Sequence, residues 1–85
     1  MEENSINNQI KYPCTWHYKI IGSDKQSLHL AALENINKEF IQTPGKESSG
    51  GKYHSINIAI EVESRKERDL IFQALQKDSR IKFVL

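Results

Sequence analysis

Between Tyr53 and Val62 the apolar residues Ile56, Ile58, Ile60 and Val62 alternate with Asn57, Ala59 and Glu61. That period of two marks a strand buried on one face and open on the other. A strand without large apolar residues on its second face cannot be packed from both sides. It belongs to a two-layer domain: one sheet with helices on one side only. Any contact function then falls to the bare face.

The rest of the chain supplies what such a domain needs. Pro13 precedes a strand over Cys14–Ile21, with Trp16, Tyr18 and Ile20 on one face and Thr15, His17, Lys19 and Ile21 on the other. Gly22 ends it. Ser23-Asp24-Lys25-Gln26 has the form of a capping box, opening a helix to about Phe40. Leu28, Ala32, Leu33, Ile36 and Phe40 gather on one stripe of that helix, with His29 in its middle. A second strand is expected over 40–47. Pro44 interrupts it, which places it at a sheet edge. Ser48-Ser-Gly-Gly51 forms the turn into the strong strand. A second capping box, Ser64 to Glu67, starts a helix to about Lys77 with Leu70, Ile71, Ala74 and Leu75 on its stripe and Phe72 off it. Asp78-Ser79 break that helix, and Ile81, Phe83 and Leu85 alternate in a final strand.

The order strand, helix, strand, strand, helix, strand predicts an α+β fold, the two-layer ferredoxin-like βαββαβ sandwich. Its antiparallel sheet is ordered 4-1-3-2, with both helices on one face. The 85 residues make one small domain, expected over 12–85. Residues 1–11 read as a flexible polar leader with at most a turn around Ile6–Ile10.

Composition narrows the function classes. Twelve basic against eleven acidic residues leave a net charge of +1. That balance counts against a dedicated nucleic-acid module, because phosphate neutralisation supplies most of the affinity of such modules. Cys14 is the only cysteine, so an internal disulfide and a Cys-rich zinc site are ruled out, and a lone thiol fits a reducing compartment. No apolar run approaches the roughly 20 residues needed to span a membrane, and the N-terminus lacks an apolar signal core. The expectation is a soluble cytoplasmic protein without membrane contact.

Tyr12-Pro13, Trp-His-Tyr-Lys-Ile-Ile-Gly (16–22), Gly-Lys-Tyr-His-Ser-Ile-Asn-Ile (51–58) and Ile-Lys-Phe-Val-Leu (81–85) together resemble the bacterial YbeD family of small uncharacterised proteins. The resemblance covers about residues 12–85. It implies a ferredoxin-like fold similar to ACT domains, regulatory modules that bind amino acids. It implies no activity, cofactor or catalytic residue.

Candidate sites follow. Gly45 to Lys52 superficially resembles a phosphate-binding loop, but Tyr53 stands where a hydroxyl residue is required and a strand follows instead of a helix. His17 and His54 have opposite strand parity and cannot share an ion. His29 reads as a partly buried helix histidine with a hydrogen bond, and no cluster has metal-ligand spacing. Nothing places a base beside Cys14. Neither enzyme, metal site nor cofactor is therefore expected. The bare face gathers Thr15, His17 and Lys19 with Tyr53, Ser55 and Asn57, and antiparallel pairing brings Lys19 and Ile21 near Tyr53 and Ser55. RNA-recognition domains use this face with two or three aromatics in a basic surround, and here Tyr53 alone qualifies. An ACT-like ligand site would lie at the turn Gly22, Ser23 and Asp24, which lacks the proline common there.

Three functions compete: a regulatory or protein-interaction module, self-associating through its edge strands or meeting another protein; an ACT-like sensor of a small metabolite; and a weak single-stranded RNA binder.

Overall fold

The computed structural model describes residues 10–46 and 49–85. Most of the expected leader, including a turn around Ile6–Ile10, and the first residue of the glycine-rich turn lie outside the described residues. Strand β1 (Cys14–Gly22) is followed by α1 (Lys25–Asn35), β2 (Ile41–Pro44), a 3₁₀ turn (Ser49–Gly51), β3 (His54–Val62), α2 (Arg65–Lys77) and β4 (Phe83–Val84). The four strands form one antiparallel sheet in the order β2-β3-β1-β4. This is the expected 4-1-3-2 arrangement read from its other edge.

Alternation decides the layers. In β1 and β3, Tyr18, Ile20, Ile56, Ile58, Ile60 and Val62 are buried together with Leu28, Ala31 and Ala32 of α1 and Leu75 of α2. All expected core positions of β3 are at most 1% exposed. Among the described residues no helix lies on the opposite face. Pro44 lies at the β2 edge. Gly45 N–H bonds the Ser55 carbonyl at 2.9 Å, so by strand parity the ring nitrogen of Pro44, opposite Ile56, faces away from β3. A missing donor is tolerated there. The turn to β3 passes through Gly50 and Gly51, at φ 85° and 70°, a region that glycine alone occupies readily.

The structure corrects the expected boundaries in five places. The first helix is capped by Asp24 rather than Ser23, because the Asp24 carboxylate accepts from both Ser27 N–H (2.9 Å) and Ser27 Oγ–H (2.7 Å). That pairing holds its carboxyl below the usual Asp range. Helix α1 also stops at Asn35, five residues early. Ile36 turns extended at φ −116°, and Asn35 Nδ2 donates to Ala31 O and Asp78 Oδ2 at 2.8 Å each. The buried stripe is therefore Leu28, Ala31 and Ala32; Leu33 is half exposed, and His29 is exposed with its Nδ1–H donating to Gln42 Oε1 at 2.8 Å. Third, β2 stops at Pro44, short of the expected 47.

In α2 the Ser64 half of the capping box holds, with Glu67 N–H bonded to Ser64 Oγ at 3.1 Å, but the Glu67 carboxylate reaches one residue past the cap. Glu67 in turn accepts from Glu63 N–H at 2.7 Å, which lowers its carboxyl's pKa. The inward stripe is rotated from the expected one and runs Arg68, Ile71, Phe72, Leu75, an i, i+3, i+4, i+7 spacing. Arg68 fits because its guanidinium lies over the Trp16 ring at 4.3 Å and its carbonyl accepts the Tyr18 hydroxyl. Leu70 is left 54% exposed and Phe72 packs on the core's rim. The fifth correction concerns the last strand. Ile81 is buried ahead of β4, so the strand's own alternation begins afresh. Val84, opposite Ile20, packs against the core, and Phe83, opposite Ile21, falls on the bare face.

Candidate functional site

Strand register lays out the bare face in rows. Thr15 stands opposite Glu61; His17 and Ile41 flank Ala59; Lys19 and Thr43 flank Asn57; Ile21 stands between Ser55 and Phe83. Leu85 joins the Lys19 row, since the two backbones exchange hydrogen bonds of 2.8 and 3.0 Å. The face is thus polar at the Thr15–Glu61 end and apolar at the other. There Ile21, Tyr53, Phe83 and Leu85 border a shallow depression of about 430 Å³ together with Lys19 and Lys46. Tyr53 and Phe83 meet edge to face, with centroids 6.5 Å apart and planes at 70°. Lys52 Nζ stands 5.6 Å from the Tyr53 ring centroid. Phe83 is 56% and Leu85 70% exposed. Three lysines gather here, and no Asp or Glu among the described residues lines the depression.

Of the residues expected on this face, Lys19 and Tyr53 meet in the depression. Thr15 and His17 are exposed toward the other end, and Asn57 lies half-buried between Thr43 and Lys19. Ser55 serves the fold instead. It is 6% exposed, and its hydroxyl donates to the Lys46 carbonyl at 2.8 Å. A Cβ on Gly45 would fall 2.2 Å from that hydroxyl, so glycine is the residue that lets the loop close over it. Phe83, Leu85, Lys46 and Lys52 were not expected here. The basic residues flanking the glycine-rich loop are visible in the sequence; that Lys46 lines the same depression as Ile21 is not.

The turn Gly22, Ser23, Asp24 is occupied by structural duties. Gly22 is buried, and a Cβ there would lie 2.6 Å from the Arg80 carbonyl oxygen and 2.8 Å from Leu28 Cδ2. Asp24 caps α1, and Ser23 is exposed. His54 stands opposite Gly22 at the start of β3. A second, wider groove of about 1180 Å³ runs between α1 and β2, lined by His29, Leu33, Phe40, Ile41 and Glu61 among others. A dense electrostatic cluster lies behind the sheet. Asp78 accepts from Arg80 N–H, Nε and Nη2 at 2.9, 2.9 and 2.6 Å, and Arg80 Nη2 also reaches Glu34 at 2.8 Å. These bonds hold the Asp78 carboxyl far below its usual range. They join the C-terminal ends of the two helices and line no depression on the bare face. Among the described residues no group of three His, Cys, Asp or Glu side chains could hold a metal, and no helix is long and apolar enough to cross a membrane.

Residues 7–85 match a family model described as a protein of unknown function, DUF493. A UPF0250 protein of Idiomarina loihiensis is 28% identical over 91 residues, covering all of both chains. An uncharacterized protein of Helicobacter pylori is 30% identical over 95% of each. Among solved structures, the solution structure of protein HP0495 from H. pylori superposes with a TM-score of 0.80 at 30% identity, covering 96% of this chain and 91% of that one. The fold and the family expected from the strand motifs are both borne out.

Proposed function

The chain belongs to the DUF493 family of proteins of unknown function, and we propose that it is a non-enzymatic, cytoplasmic interaction module. Its contact surface is the Tyr53–Phe83 end of the uncovered sheet face. One observation carries this reading: large apolar side chains, Phe83 and Leu85, stand more than half exposed beside Tyr53 and Ile21 on the face that no helix of the described residues covers. The small domain has an apolar interior for such residues, and burying a Phe or Leu side chain is worth about 1.5–3 kcal/mol. Clustering them in the open favours contact with a partner. Perturbed carboxylates, by contrast, sit in capping and helix-joining roles that account for their shifts.

The test is photo-crosslinking in bacterial cells, with p-benzoylphenylalanine replacing Phe83 in one variant and Leu70, on the exposed side of α2, in another. Adducts are expected several-fold more abundantly from position 83. Equal yields from the two positions, or none from either, refute the reading.

A further inference from the structure

We propose that the partner of this surface is a single strand of nucleic acid, a base stacking on the exposed Phe83 ring with Tyr53 standing edge to face beside it, while Lys19, Lys46 and Lys52 meet the flanking phosphates. The inference rests on the contact-surface reading above and deepens it.

Two features must coincide for such a ligand: flat rings open to solvent, and positive charge within a phosphate's reach of them. Both are present. Phe83 is 56% exposed and stands edge to face with Tyr53 at 6.5 Å. Lys19 and Lys46 line the same depression, and Lys52 lies over the Tyr53 ring. The near-neutral total charge conceals a segregation among the described residues. The lysines gather at the aromatic end of the face, whereas Glu61 stands on its far end opposite Thr15. An acidic peptide would satisfy the lysines but gives the rings no flat partner. An apolar peptide would use the rings and desolvate three ammonium groups without compensation. A nucleotide strand matches both.

The test is fluorescence anisotropy of labelled ten-residue oligonucleotides with the purified full chain. Oligo-U and oligo-dT are compared with an abasic oligomer, a duplex of equal length and poly-glutamate. Three phosphate contacts predict a slope of about −2 in log affinity against log salt, so affinity falls ~18-fold between 50 and 200 mM salt. Phe83→Ala and Tyr53→Ala should each weaken binding by ~5-fold or more, and Lys46→Gln should reduce the salt slope by about 0.7. All three variants are checked for a native amide spectrum. Tighter binding of oligo-U than oligo-dT names RNA as the source, and the reverse names DNA. Binding of the duplex, the abasic oligomer or poly-glutamate as tightly as of the single strands overturns the proposal, as does no binding of any of them. If crosslinks still concentrate at position 83 in that case, the contact surface stands and its partner is a protein. If they do not, both readings fall.

Discussion

Replacing Gly22 with alanine separates a glycine required by packing from one kept for a ligand. Gly22 is the last residue of β1, paired with His54 in an extended strand, so alanine suits its backbone. Space does not. The added Cβ would sit 2.8 Å from Leu28 Cδ2 and 2.6 Å from the Arg80 carbonyl oxygen, against an ordinary carbon–carbon contact of about 3.5–4.0 Å. Leu28 is fully buried and cannot swing out. The Arg80 carbonyl belongs to a segment tied to β1 by Lys82 N–H to Ile21 O at 2.7 Å. Overpacking of this kind costs about 1–3 kcal/mol. Losing the glycine's extra unfolded-state freedom offsets about 0.4–1 kcal/mol. The net expectation is a destabilisation of about 1–2 kcal/mol, lowering Tm by about 4–16 °C for a domain of this size. Urea denaturation followed by the single tryptophan, Trp16, measures it. Leu28→Ala removes one of the two colliding groups. The double variant should therefore be at least ~0.5 kcal/mol more stable than the two single effects summed. A Gly22→Ala protein as stable as the parent, or strict additivity in the cycle, would refute the packing argument.

Two further predictions concern pH. The Asp78 carboxyl is held far below its ordinary value by its bonds to Arg80 and Asn35, so its contribution to stability is complete above the unfolded carboxylate range and is lost as pH falls through and below it. Urea midpoints measured from about pH 5 downward should decline less steeply in Asp78→Asn than in the parent; parallel declines would show that the carboxylate is not coupled to folding. Burial pushes the Tyr18 phenol up to about 12 from 10.0. The folded state thus favours the protonated form, and its stabilising contribution, complete below the ordinary tyrosine value, fades as pH rises toward 12. Tyrosinate absorbance should show a late step that Tyr18→Phe removes, and a Tyr18→Phe titration identical to the parent's would contradict this.

What the sequence disclosed was whatever a local pattern determines. The two-residue period of Ile56–Val62 and the Ser64 cap of α2 each act within a few residues, and each appears where expected. Pro44 at an edge follows from one missing donor. The failures share a different cause. Ile81, Phe83 and Leu85 read as one face because nothing local says that Ile81 lies outside the strand. The pairing of Phe83 with Ile21, distant in sequence, sets the parity and turns Phe83 outward. Helix α1 lost its last turn to Asn35, whose side chain finds Asp78 across the fold. Ser55 has a solvent-facing parity, yet a loop closes over it. The candidate site was half legible for the same reason. Lys19 lies on one central strand and Tyr53 immediately before the other, whereas Phe83 and Lys46 arrive through long-range pairing.

The Ser55–Lys46 hydrogen bond bears on how the charged patch would meet the partner proposed for it. With Gly45 N–H on the Ser55 carbonyl and the Ser55 hydroxyl on the Lys46 carbonyl, the Lys46 backbone is held by β3 before the loop begins. Changes of length between residues 47 and 52 therefore leave its Cα in place. An anionic group arriving there needs to order only the lysine side chain, about 0.5–1.5 kcal/mol of entropy, and no backbone. The loop can vary while this corner of the surface stays preorganised.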